Sequence, residues 1–276
     1  MTKSHVKSDV LKKIITRWTR HAPPEGPKME PLARLVHAFL EYDAEMGRAQ
    51  SAEQRLVSTM ADYNELRVTP AIELAAILGV RYAFAESRCS SLHRTLQAIF
   101  EREKQMSLES LHQMHKPEIR KYLKSLAGIN PYVEAAVALD CFGVPAAPVD
   151  MKLLLWLKNK QAVTEECTVL ELQLVLERQI RAPQMGMFFR ASRKDLEDWM
   201  PKVWPAVTRT PSTVVAPPQE TPEVSPVKTQ PPATGTEPAS APAHASKVHR
   251  KKWGDASSEK AGGAHTKVKP KPSNKD

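Results

Sequence analysis

Between Leu126 and Asp150 the chain reads LAGINPYVEAAVALDCFGVPAAPVD. Gly128 and Asn130 are residue types that most readily take a positive φ, so Gly-Ile-Asn can turn the backbone within three residues. Pro131 follows, with a φ already suited to a helix and no N–H to waste, the combination favoured at a first helical position. Val133, Ala136, Val137 and Leu139 then give that helix a small apolar face for close packing. The stretch therefore predicts a helix, a tight hairpin and a second helix, ended by a Pro-rich turn and a lone carboxylate, Asp150.

The remainder of the first 205 residues carries helical periodicity and no competing alternation of the strand type. Val10, Ile14, Ile15 and Trp18 stripe a first helix, Leu32, Leu35, Val36, Phe39 and Leu40 a second, and Leu56, Val57 and Met60 a third. Thr69-Pro70 reads as a cap and first turn opening a helix through Ile72 and Ile77 to Gly79. A long helix carries Leu92, Leu96, Ile99 and Phe100, and shorter ones start at Ser107 and Pro117. After the hairpin unit, helices are expected over 153–160, 169–180 and 194–200. The composition changes abruptly at Ala206: 11 of the 23 prolines and a single aromatic, Trp253, lie beyond it. Such a segment buries too little apolar surface to fold alone. The expected organisation is a basic N-terminal helix and linker over 1–28, an all-α domain over 29–205 and a disordered, Pro/Ala/Lys-rich basic tail over 206–276.

The hairpin unit resembles the helix-hairpin-helix DNA glycosylases of the endonuclease III type. Their pattern runs L-P-G-V-G-x-K-T-A, an apolar helix, F-G-x-P and V-D; Leu126, Gly128, Phe142, Gly143, Pro145, Val149 and Asp150 fall on it without a gap. A weaker resemblance, in helix pattern and length, extends from about Glu30 to Trp199. The resemblance implies a two-lobed helical bundle that binds double-stranded DNA and acts in base excision repair. Gly128, Ile129 and Asn130 would present backbone amides to a phosphate at a helix start, Lys152 would contact a flanking phosphate, and one nucleotide would swing out of the duplex. Asp150 would support cleavage of its N-glycosidic bond by stabilising the cationic sugar or activating water. The same aspartate also suits the N-cap of the next helix, and the two roles are compatible.

Departures from the pattern narrow the chemistry. Tyr132 stands where bifunctional members carry the lysine that attacks the sugar; a phenol forms no Schiff base, so the expectation is base removal by water without lyase activity, with Tyr132 lining the pocket. Asn130 replaces the second hairpin glycine, Ala127 the proline, and Lys152 a histidine that often follows V-D. Where endonuclease III has a glutamine that fills the gap left by the flipped base, this chain reads Leu40-Glu41-Tyr42-Asp43-Ala44, an acidic pair expected to repel phosphate. The same departures suit a DNA-binding scaffold of this fold that has lost the enzyme's work.

Cys89, Cys141 and Cys167 are the only cysteines, widely separated and without a Cys-x-x-Cys, so neither the iron-sulfur cluster of many family members nor a zinc site is expected, and no cofactor. The net charge of +9 sits at the ends: residues 1–28 hold seven Lys or Arg against two acids, and residues 247–276 nine against three. Basic ends of this kind bind nucleic acid non-specifically by counterion release. With no apolar run long enough to span a bilayer and no secretory leader, the expectation is a cytoplasmic monomer, nucleoid-associated in a bacterium.

Overall fold

The computed structural model describes residues 5–44, 46–79 and 82–199; the segment 206–276, expected to be disordered, lies outside them. The first lobe contains α2 (Pro31–Glu41), α3 (Met46–Thr59), α4 (Tyr63–Val68), α5 (Ala71–Leu78), α6 (Ala85–Glu103), a 3-10 turn at Glu109–Gln113, α7 (Lys116–Lys124) and α8 (Pro131–Phe142). The second contains α1 (Ser8–Arg20), α9 (Met151–Asn159), α10 (Val169–Gln179) and α11 (Ala182–Trp199). Among the described residues the one β feature is an isolated bridge between Val6 and Val163. The domain is all-α and two-lobed, and no described helix is long and apolar enough to cross a membrane.

Each lobe has its own core. In the first, α8 is the centre: Tyr132 through Leu139 are all buried, so the helix is enclosed on every side rather than along one face. Its alanines let neighbouring helices approach, and the one charge inside, Glu134, is held by Arg120 at 2.9 Å, which also reaches Glu177 of α10 at 2.9 Å. In the second core Trp18 of α1 packs against Trp156 of α9, with centroids 4.6 Å apart, and edge-on against Phe188 of α11 at 4.9 Å. The Trp18 indole N–H donates to Asp195 at 2.8 Å. Leu11, Ile15 and Trp18 are the buried line of α1, and the backbone before it is tied to the loop after α9 by Lys7 N–H to Ala162 O at 2.9 Å and Thr164 N–H to His5 O at 2.8 Å. The N-terminal helix is thus an integral part of the second core.

Several local expectations shift. Thr69 does not open α5; its hydroxyl donates back to Glu65 O at 2.7 Å, closing α4, and Pro70 takes the N-cap position. Ile72 is 72% exposed. The last helix begins at Ala182, not at 194, because Pro183 falls in its first turn, where the missing N–H is harmless. In the hairpin only Gly128 has a positive φ, of 85°. A Cβ on it would lie 2.5 Å from Ser91 O, so this glycine is required both for its conformation and for its contact with α6. Thr95 of α6 also donates to Ala127 O at 2.9 Å. Asn130 is extended and works as a cap, its Oδ1 accepting from Val133 N–H at 2.8 Å.

Candidate active site

The hairpin and α8 deliver Tyr132 to the interface of the lobes, and the Pro-rich turn after α8 delivers Asp150. Both line one cavity of about 220 Å³, walled by Glu41, Ala44 and Gly47 from the first lobe, by Pro148, Lys152 and Leu153, and by Phe189, Ser192, Arg193, Leu196 and Glu197 of α11. Tyr132 is buried and its ring leans on Tyr42, with centroids 5.3 Å apart. Burial, reinforced by the Glu41 carboxylate, pushes its phenol well above the ordinary range, so it presents a neutral hydroxyl.

Asp150 is 3% exposed and is the N-cap of α9: Oδ1 accepts from Leu153 N–H at 3.0 Å. Its other oxygen meets Lys152 Nζ at 3.2 Å. That ammonium also donates to Ala44 O at 2.8 Å and Glu41 O at 3.2 Å. Its three donors are thus engaged within the protein, at the wall of the same cavity. The Ile129 N–H makes a long turn contact to Leu126 O at 3.4 Å, and its side chain packs on the first core.

The acidic pair at the end of α2 is not presented to solvent. Glu41 sits in a four-membered ring of charge: Arg34 Nη2 to Glu41 Oε2 is 3.1 Å, Glu41 Oε1 to Arg193 Nε 3.1 Å, Arg193 Nη2 to Asp140 Oδ2 3.4 Å, and Asp140 Oδ2 to Arg34 Nε 2.7 Å. Burial alone would raise the Glu41 carboxyl, but Arg193 and Arg34 outweigh it and hold the group below the usual carboxylate range. Asp43 takes a positive φ of 49°, leaving α2 so that its Oδ1 accepts from Met151 N–H at 2.9 Å. The expected repulsion of phosphate by these two residues is overturned: both are buried, Glu41 balanced by arginines and Asp43 turned onto the start of α9.

No sequence signal marked the α11 wall or Arg193, because Arg193 acquires its meaning only opposite Glu41. The three cysteines are buried apart, Cys89 and Cys141 in the first core and Cys167 in the second; burial pushes the first two thiols up to about 12.

No protein-family model matches this sequence, and neither does any curated protein. Solved structures do. A trapped endonuclease III–DNA covalent intermediate superimposes with a TM-score of 0.53 at 16% identity, over 67% of this chain and 84% of that one. A thermostable thymine-DNA glycosylase gives 0.50 at 16% identity, over 68% and 85%. The H. pylori 3-methyladenine DNA glycosylase MagIII bound to 1,N6-ethenoadenine gives 0.51 at 18% identity, over 71% and 97%. The chain has the helix-hairpin-helix DNA glycosylase fold. Within it, identities of 16 to 18% to these structures make this a divergent version of that architecture.

Proposed function

We propose that this protein is a monofunctional DNA N-glycosylase of base excision repair. The observation that carries the reading is the meeting of Tyr132 and Asp150 in one cavity between the lobes, in a fold whose solved examples include DNA glycosylases captured with DNA. The duplex lies against the hairpin, where the N–H groups of Gly128 and Asn130 at the start of α8 donate to a backbone phosphate. Lys12, Lys13 and Arg20 on the exposed face of α1 add salt-sensitive attraction. One nucleotide turns into the cavity, its base between Tyr132 and Phe189. The C1′–N bond breaks with its electron pair leaving on the base as positive charge builds on the sugar; the Asp150 carboxylate stabilises that charge and takes a proton from the water whose oxygen bonds to C1′, and the departing base nitrogen takes up a proton from solvent. Lys152, with its donors on Ala44 O, Glu41 O and Asp150, offers no free amine for a Schiff base.

Duplexes carrying uracil, mismatched thymine, oxidised pyrimidine or alkylated purine, treated with the full-length protein, test this. Abasic sites should appear that break only after alkali, and Asp150→Asn should reduce their formation by about 100-fold or more. Undiminished activity in that variant would refute the assigned role. The engagement of both Asp150 oxygens favours one other reading, a scaffold that binds DNA without removing bases; salt-sensitive binding with no abasic product on any substrate would select it.

A further inference from the structure

Asp150 has a buried carboxyl neighbour outside the cavity lining, Asp43, that the reading above does not use. Asp43 arrives from the end of α2 and Asp150 from the turn before α9, so the two come from opposite lobes onto one helix start. Asp43 Oδ1 takes Met151 N–H at 2.9 Å and Asp150 Oδ1 takes Leu153 N–H at 3.0 Å, within the same first turn of α9. Both are buried. The groups that face Asp43 are few. From α9 there are Asp150 and Lys152, whose ammonium contacts Asp150 Oδ2 at 3.2 Å. From α2 there is the Tyr42 phenol, itself pushed up by burial and by Asp43. From α6 there is Arg88, which spends its donors on Phe39 O and Ala83 O and lies 5.4 Å from the Tyr82 ring centre. Two carboxyl groups that cap the same helix turn in a poorly solvated place do not both ionise readily.

We propose that Asp43 holds the proton of this carboxyl pair, so that Asp150 carries the charge towards the cavity. The division follows from the contacts: the Lys152 ammonium touches the Asp150 carboxylate, whereas the hydrogen-bond donors on Asp43, the Met151 N–H at Oδ1 and the Tyr42 phenol, are neutral. Burial, followed by the Asp150 charge, pushes the Asp43 carboxyl up to about 7, against the pull of Lys152, Met151 N–H and Arg88. As Asp43 loses its proton near neutral pH, the point where the lobes join gains one negative charge. Asp43 is a positioning residue, acting on the sugar only through Asp150. That last step rests on the glycosylase reading, while the proton sharing does not.

The test is a carboxyl carbon NMR titration of the full-length protein labelled in its aspartates, from pH 4 to 9. One aspartate should titrate with a midpoint of about 7, vanish from the spectrum of Asp43→Asn, and move down by about one unit or more in Asp150→Asn. If every aspartate of the wild type titrates below about pH 5, the usual region for the residue, the proposal is overturned. Should Asp43→Asn fail to fold, the wild type and Asp150→Asn decide alone. Where base removal is measurable, Asp43→Asn should also erase the change in rate across neutral pH, which a merely structural cap would leave in place. A near-neutral aspartate in a protein that removes no base would uphold the sharing and sink the glycosylase reading instead.

Discussion

Replacing Glu41 by glutamine removes one charge from the ring that joins α2, α8 and α11. Arg34 is almost wholly enclosed, with its side chain 3% exposed, and would keep only Asp140, at 2.7 Å. Arg193, 31% exposed, would recover some hydration when its 3.1 Å contact with Glu41 loses its charge. Taking one partner from a buried ion pair destabilises by roughly 3 to 5 kcal/mol, because the other charge stays behind without compensation. Here Asp140 still serves Arg34 and water reaches Arg193, so the lower end, about 3 kcal/mol, is expected. Urea unfolding should show a lower midpoint with an unchanged slope. The pH dependence supplies the sign. Glu41 is held below its ordinary value of 4.5, so its contribution is fully present above that pH and is lost as pH falls towards the folded value. The wild-type and Glu41→Gln curves should therefore stand apart at neutral pH and converge below pH 4.5. A difference under about 0.5 kcal/mol at neutral pH, of the size usual for an uninvolved surface site, or curves that stay parallel into acid, would refute the ring as a source of stability.

Three further outcomes are expected. Borohydride added to the protein with abasic-site DNA should trap no covalent adduct; an adduct lost in Lys152→Ala would show that this ammonium is released and reacts. Gly128→Ala, which sets a Cβ 2.5 Å from Ser91 O at a φ of 85°, should cost at least the roughly 1 to 3 kcal/mol of a strained backbone position, read by chemical denaturation; a neutral effect would mean that the hairpin moves freely from α6. Asp150→Asn should preserve the α9 cap and Asp150→Ala should lose about 1 kcal/mol relative to it, while both reduce base removal by about 100-fold or more; equal melting temperatures would separate the cap from stability.

Legibility in the sequence tracked distance along the chain. The hairpin and its helix are readable because Gly128, Asn130 and Pro131 fall within four residues and each has a backbone preference of its own. Asp150 was readable as a cap for the same reason. The α11 wall was not: Pro183 and Gly186 lower helix propensity at the place where Met185, Phe188 and Phe189 are buried, and tertiary packing overrides that local signal. Glu41 and Asp43 misled most. Side by side they look like an exposed acidic face, and the arginines, the lysine and the amide that receive them come from α6, α9 and α11 or from further back in α2. No local pattern announces such partners.

The remaining tension is whether a carboxylate used as a helix cap can also act on a substrate. An ionised carboxylate has about four acceptor sites on its two oxygens. Leu153 N–H uses one on Oδ1 and Lys152 one on Oδ2. The Lys152 contact, at 3.2 Å, is longer than the 2.7–2.9 Å of a tight charge-assisted bond, and the ammonium has a shorter alternative in Ala44 O at 2.8 Å. Oδ2 is thus the less committed oxygen, and Asp150 lines the cavity that holds Tyr132. Capping fixes the carboxylate in place through Oδ1 and leaves Oδ2 to meet a water or a cationic sugar. A charge that must be ready before the bond breaks is better held by a helix start than by a free side chain, so the cap is part of what would make Asp150 effective.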